Sequence, residues 1–240
     1  RQRQMCIRDR IRHGETDWNR QMRFQGHSDI ALNALGQEQA RRVALALAGP
    51  GATDRITHLV TSDLIRTAQT AMPLARRLEL EPQSRAVWRE QAFGDMEGTA
   101  VGDMAQTHPE LWTQWLRHDP DFLLPGPAES RRQFHARALQ ALFTEVVAHS
   151  ERQARNPTEV GTLVVFTHGG LLDMLWRTAQ GQSLWGPRTA AIPNTGINRL
   201  KVQGEHIDIV SWADDRHLAG LPAQPSTVQA AAAPAVAPPP

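Results

Sequence analysis

Apolar residues recur along this chain with two periods, and the two alternate. Residues 162–167 (TLVVFT) form an almost unbroken apolar run, the pattern of a strand buried on both faces. Residues 58–62 (HLVTS) are a shorter run of the same kind, and residues 197–202 and 206–212 alternate around a turn at Gln203-Gly204-Glu205. Residues 85–88 are a further strand candidate. Helical spacing fills the intervals. Residues 37–47 are a predicted helix, capped by Asn33 and stopped by Gly49-Pro50-Gly51. In residues 63–78, Leu64, Ala68, Ala71, Leu74, Ala75 and Leu78 share a face, although Pro73 argues against an unbroken helix. Residues 129–149 are a long amphipathic helix with Phe134, Ala138, Leu142 and Val146 in one stripe, and residues 170–179 are another helix. Strands alternating with helices predict an α/β fold of three layers, α/β/α, around a central, mostly parallel sheet. Ligands in such sheets bind beyond the carboxyl ends of the strands. Chemistry is therefore expected in the segments that begin at Arg12, Thr61, Arg89 and Thr167.

Both ends break the pattern. The chain begins RQRQMCIRDR, so the strand that should lead into Arg12 reads Cys6-Ile7-Arg8-Asp9-Arg10-Ile11. Three consecutive charges cannot be buried cheaply in a central strand. A short frayed strand, or Asp9 pairing with a neighbouring arginine, would resolve the conflict; the expectation preferred here is that residues 1–10 are a cloning or assembly artefact in place of a native strand. From Ala219 onward the sequence is rich in Ala and Pro and almost without charge, which predicts a disordered tail over residues 219–240. The folded domain is expected over residues 1–218, with a small helical cap inserted at about residues 99–128.

Composition narrows the partners. The 240 residues suit one domain, with 40% apolar and 21% charged residues and a net charge of +1. That balance makes no electrostatic case for nucleic acid or a membrane surface. The lone cysteine, Cys6, excludes an intramolecular disulfide and a thiolate metal site. No apolar run approaches the roughly 20 residues of a bilayer span, and none follows the basic N-terminus as a secretory signal would require. A cytoplasmic location is expected.

The four strand-end segments carry chemically apt residues. Arg12-His13-Gly14-Glu15-Thr16 joins a nucleophilic imidazole to a planar guanidinium fork that fits phosphate oxygens, beside a glycine that lets a ligand approach the backbone. Arg66 sits about one turn into the helix that leaves the second strand, within reach of the same pocket. Glu90 stands before a glycine-containing loop, where a carboxyl group can act as a general acid. His168 follows the strongest strand and precedes Gly169-Gly170 at a helix start, a place suited to an anion.

Together the segments RHGETDWN, FQGHSDIALNALGQEQA, SDLIRTAQTA, REQAFGDMEG and VVFTHGG, in this order between Ile11 and about Trp212, resemble the histidine phosphatase (phosphoglycerate mutase-like) superfamily. The stretch PGPAES at residues 125–130 and NTGIN at residues 194–198 are similar to later segments of its phosphatase branches, including broad-specificity and alpha-ribazole phosphatase-like members. The resemblance implies that His13 is the phosphorylated histidine, that Arg12, Arg66 and His168 grip the phosphoryl group, and that Glu90 donates the proton. It implies accessory phosphate contacts from Asn19, Gln25, Gly26 and Gly169. It further implies a small phosphomonoester as substrate, no cofactor and no metal, with His13 neutral and His168 acting best as a cation. Two other functions stay open: a cofactor-dependent phosphoglycerate mutase, which needs a larger lid than residues 99–124 offer, and an inactive phosphate-binding interaction domain. Trp112, Trp115 and Phe122 are expected to pack that cap rather than stack on substrate.

Overall fold

The computed structural model describes residues 6–156 and 160–225. Residues 1–5 of the charged leader and residues 226–240 of the Ala/Pro-rich tail lie outside the described residues.

The apolar run at Thr162–Thr167 (β4) forms the middle of the sheet, parallel on one side to Ile56–Thr61 (β2) and on the other to Cys6–Arg12 (β1). Beyond β2 lies the two-residue strand Gln83–Ser84 (β3); beyond β1 the hairpin Ile197–Gln203 (β5) and His206–Asp214 (β6) completes the order β3-β2-β4-β1-β5-β6. Only β5 and β6 run antiparallel to their neighbours. Because side chains alternate along a strand, β4 feeds two cores. Leu163 and Val165 pack with Phe134, Ala138 and Leu142 of helix Arg131–Arg155 (α6) and with Leu171 and Leu175 of helix Gly169–Ala179 (α7). Val164 and Phe166 pack on the other face with Val43 and Leu47 of helix Ala34–Ala48 (α2) and with Ala71 and Leu74 of helix Ile65–Leu78 (α3). This is the expected α/β/α sandwich with a mostly parallel sheet.

Helix boundaries follow local chemistry. The Asn33 side chain accepts from the Gly36 N–H and starts α2. Ser130 and Gln133 form a capping box that starts α6. Pro73 is accommodated inside α3, with its neighbours Ala71 and Leu74 fully buried. The strand expected at residues 85–88 does not form. Pairing with β2 ends at Ser84, and Ala86–Trp88 is a turn of 3₁₀ helix that swings Trp88 into the core, where its carbonyl accepts from Thr167 Oγ1 at 2.9 Å.

The charged N-terminal run does form the central strand β1. Asp9 and Arg10 are both fully buried, contrary to the expectation that such charges would be excluded. Asp9 is gripped by Arg199 on the adjacent β5, Nε to Oδ1 at 2.9 Å and Nη2 to Oδ2 at 3.2 Å, and Arg199 also reaches Asp54. Arg10 lies on the opposite face with its guanidinium over the Trp88 ring, 5.4 Å from the centroid. Pairing of Asp9 with an arginine is thus the resolution the fold adopts.

Residues 99–128 carry the short helices Met104–Thr107 (α4) and Pro109–Trp115 (α5). Trp112, Trp115 and Phe122 pack there against Phe24, Met96, Met104 and Leu124, and Trp115 meets the Phe24 ring edge-to-face at 5.2 Å. The tail boundary at Ala219 is not where the chain leaves the domain. Gln224 accepts from the Asn194 N–H at 2.6 Å and donates to its carbonyl at 3.2 Å, so residues 219–225 stay on the surface near the strand ends. Among the described residues no helix is long and apolar enough to cross a membrane.

Arg199→Met should leave a buried carboxylate without its cation and cost about 2–3 kcal/mol, toward the lower end because Arg199 is partly exposed. Thermal unfolding should show a Tm lowered by roughly 4–12 °C. Asp9→Val combined with Arg199→Met should recover most of the loss; an unchanged Tm in the single variant would show that the pair does not hold the strand.

Candidate active site

The parallel strands end side by side, and each delivers a polar segment to the same place. His13 leaves β1 with its N–H on Thr167 O at 2.9 Å, and Ser62 leaves β2 with its N–H on Phe166 O at 3.2 Å, so both are tied to the end of β4. His168 follows on β4 and is the N-cap of α7. The ring centroids of His13 and His168 stand 5.2 Å apart. Residues separated by 155 positions in sequence are therefore neighbours.

Two glycines make the close packing possible. A Cβ on Gly14 would lie 2.5 Å from Gly36 O, and one on Gly36 would lie 2.1 Å from Glu15 O. The start of α2 can thus press against the His13 turn. Thr70 of α3 secures that turn from the other side, its Oγ1 accepting from the Gly14 N–H at 2.9 Å and donating to Arg66 O at 2.6 Å.

The protonation pattern of His13 follows from one contact. Its Nδ1 is 2.7 Å from Gly14 O. A carbonyl can only accept, so Nδ1 carries the hydrogen and Nε2 keeps the lone pair. Burial, reinforced by the Arg66 and Arg12 charges, holds the His13 pKa well below the usual 6.5. His168 is neutral for the same reasons, burial first and then Arg66. Its Nδ1 accepts from Arg66 Nε at 3.3 Å, which leaves Nε2–H to donate to Ser62 Oγ at 2.8 Å. The cation expected at His168 is therefore not what the pocket makes, because Arg66 already donates to the nitrogen that would have to be protonated.

The positive charge belongs to the arginines. Arg66 is fully buried, donating to Ser28 O at 2.8 Å and Gly26 O at 2.7 Å as well as to His168. A guanidinium has five N–H groups, so two remain for a ligand. Arg12 donates to Ile192 O at 2.8 Å, while its buried Nε has no hydrogen-bond partner. Neither arginine forms an ion pair among the described residues, and burial lowers the pKa of each to about 10, with repulsion from Arg188 the next cause at Arg12. Both stay charged at neutral pH.

The remaining predicted residues surround this pair. Thr16 and Asn19 form a capping box on the short helix Asp17–Arg20 (α1). Asn19 Oδ1 is used by Thr16 N, which turns the Asn19 amide nitrogen outward as a donor. Gln25 accepts from Thr16 Oγ1 at 2.5 Å, so its own amide nitrogen is likewise available. The Gly26 carbonyl is consumed by Arg66, and an anion could meet only its N–H. Glu90 is buried, with Oε1 accepting from Gln91 N at 2.9 Å and Oε2 from Gly170 N at 2.8 Å. Its charge acts on both Arg12 and Arg66. Gly169 lies against the Arg12 side chain, its missing Cβ 3.3 Å from Arg12 Nε.

Three participants carried no assignment in the sequence. Ser62, which orients His168, directly follows β2 and was within reach of the strand-end rule. Asn194 donates to His13 O at 2.8 Å from the NTG turn. Arg188 places Nη1 3.4 Å from the missing Cβ of Gly169, beside Arg12, and no local pattern marks it. Among the described residues no group of three or more His, Cys, Asp or Glu side chains is arranged to hold a metal ion.

Known proteins resemble this chain in sequence and fold. Residues 11–215 match the histidine phosphatase superfamily (branch 1). Phosphoglycerate mutase-like protein 4 of Arabidopsis thaliana is 31% identical over 210 residues, 87% of this chain and 85% of its own length. A metal-independent phosphoserine phosphatase of Arabidopsis thaliana is 29% identical over 214 residues, 88% of this chain and 82% of its own. The structure of a mycobacterial glucosyl-3-phosphoglycerate phosphatase superposes with a TM-score of 0.71 at 25% identity, covering 88% of this chain and 100% of that one.

Histidines with depressed pKa values bind fewer protons folded than unfolded. Stability is then complete above the ordinary value of 6.5 and declines as pH falls below it. NMR titration should find both imidazoles neutral at pH 6.5, with His13 protonated on Nδ1, and Tm should fall between pH 7 and pH 5.5. A His13 that titrates at or above 6.5 would contradict this electrostatic account.

Proposed function

This chain belongs to the histidine phosphatase superfamily, and from that premise we propose that it hydrolyses phosphomonoesters of small metabolites through a phosphohistidine formed on His13. The observation that carries the reading is the Nδ1–H bond to Gly14 O, which leaves Nε2 unprotonated beside two guanidinium groups that form no ion pair among the described residues.

The phosphoryl dianion sits among the free N–H groups of Arg12 and Arg66, with the Asn19 and Gln25 amides and the N–H groups of Gly26 and Gly169 completing its shell. These donors stabilise the charge on the equatorial oxygens in the transition state. His13 Nε2 attacks phosphorus in line with the ester oxygen; the N–P bond forms as the P–O bond breaks. Glu90, which must take up a proton before or with the substrate, gives it to the departing oxygen. Water then attacks the phosphohistidine, Glu90 takes a proton from it, and inorganic phosphate leaves His13 as it began. His168, bonded to Arg66 and Ser62, acts in this reading by fixing the Arg66 fork, and a bound dianion would draw its pKa upward. The arginines supply the charge that a divalent cation supplies in other phosphoryl transfers, so the proposed reaction runs without metal.

Rapid quenching with ³²P-labelled aryl phosphate should trap an acid-labile, base-stable phosphoprotein with label on His13. His13→Ala should lose both label and turnover, and Glu90→Gln should slow esters of poor leaving groups more than aryl esters. Wild-type rates in His13→Ala would refute the mechanism. Isomerisation of 3-phosphoglycerate that depends on 2,3-bisphosphoglycerate, without phosphate release, would assign a mutase instead. Binding without any trapped label would assign an inactive phosphate-binding domain.

A further inference from the structure

Arg188 is a guanidinium held at the site by a scaffold, and its one ion pair among the described residues is a long one at Nε. It lies midway along the loop between α7 and β5. Arg177, buried and paired with Asp173 at 3.0 Å, donates to four carbonyls of that loop: Ser183 at 2.5 Å, Trp185 at 3.1 Å, Gly186 at 3.3 Å and Pro187 at 2.6 Å. Arg131 adds bonds to Leu184 O at 2.5 Å and Gly186 O at 2.8 Å. The five residues that lead into Arg188, Ser183 to Pro187, are thus each pinned.

What it presents is only partly satisfied. The carboxylate that faces Arg188, Asp173, places Oδ1 3.9 Å from Arg188 Nε, an ion pair too long for a hydrogen bond, while its Oδ2 serves Arg177. Among the described residues Arg188 makes no hydrogen bond at all. Instead it faces a like charge: a methyl group on Gly169 would touch Arg12 Nε at 3.3 Å and Arg188 Nη1 at 3.4 Å. The absence of a side chain at Gly169 leaves a gap between two guanidinium groups, one of whose donors, Arg12 Nε, is buried and unpartnered. Two converging cations repel, and an anion placed between them would be attracted by both. Arg188 remains partly exposed, so the gap opens to solvent.

The phosphoryl group does not account for this third cation. In the proposed reaction the phosphoryl oxygens take the free N–H groups of Arg12 and Arg66, and no step of it uses Arg188. We propose that Arg188 is a specificity-determining residue that binds a second anionic group on the leaving alcohol, a few bonds from the reacting phosphorus, and so selects phosphate esters of acids over those of neutral alcohols. This rests on the proposed phosphatase reaction for the orientation of the ester. A planar fork beside Arg12 suits a carboxylate taken two oxygens at a time.

The test compares Arg188→Met and Arg188→Lys with wild type on three esters: 2-phospholactate, glycerol 3-phosphate with its neutral alcohol, and a bisphosphate of ethylene glycol. In Arg188→Met the ratio of kcat/KM for phospholactate to that for glycerol 3-phosphate should fall about 10- to 100-fold, mostly through KM, the range for a lost hydrogen-bonded charge contact. Arg188→Lys should restore part of it. An equal loss on all esters, or an unchanged ratio, would overturn the proposal. If the ratio falls only for the bisphosphate, the second group is a phosphate rather than a carboxylate. Calorimetric binding of the same esters to His13→Ala and to His13→Ala with Arg188→Met reads the preference without turnover. A binding preference lost with Arg188 while wild type forms no phosphohistidine would therefore refute the reaction and keep the anion site. No binding preference would refute the site whatever the reaction does.

Discussion

Burying two guanidinium groups that form no ion pair among the described residues is the constraint around which this molecule is organised. A buried cation must be compensated, and a carboxylate would do so at the cost of competing with any incoming anion. The chain uses backbone carbonyls instead: Gly26 and Ser28 for Arg66, and Ile192 for Arg12. Carbonyl dipoles hold the charge without cancelling it. The consequence is a demand for order in the loops that supply them. Glu97 meets that demand at one side, accepting from the N–H groups of His27, Ser28 and Phe93 and from Ser28 Oγ. Asn194 meets it at the other, bonded to His13 O and to Gln224.

The same constraint explains the state of the imidazoles. Two nearby cations and burial make protonation of either ring unfavourable, and hydrogen bonds then choose the tautomers: Gly14 O accepts from His13 Nδ1–H, and Arg66 donates to His168 Nδ1. A neutral histidine with an open Nε2 is what the proposed nucleophile requires. The environment that would receive a dianion is therefore also the one that prepares the base.

Beneath the site the sheet tolerates what its pattern forbids. Asp9 and Arg10 occupy a central strand that would ordinarily be apolar, and each meets a neighbour on its own face: Arg199 from β5 for Asp9, the Trp88 ring for Arg10. Trp88 is available because the chain abandons β3 after Ser84 and turns inward. The strand's charge and the missing edge strand are in this sense one solution.

Periodicity along the chain was enough to read the α/β/α layers, since alternation in β4 and the stripe on α6 report burial locally, residue by residue. Proximity of His13, Arg66, Glu90 and His168 was legible too, because parallel strands must end on one side of a sheet and each residue follows a strand or strand candidate. Partners whose placement depends on loop closure were not legible. Arg199 meets Asp9 through strand register, Ser62 meets His168 across two strand ends, and Arg188 meets Arg12 only once Arg177 and Arg131 have folded the loop between them. The charge of His168 was decided in the same way. A histidine's proton depends on what donates to it and how far water is excluded, and both are properties of the assembled pocket rather than of the residues beside it in the chain.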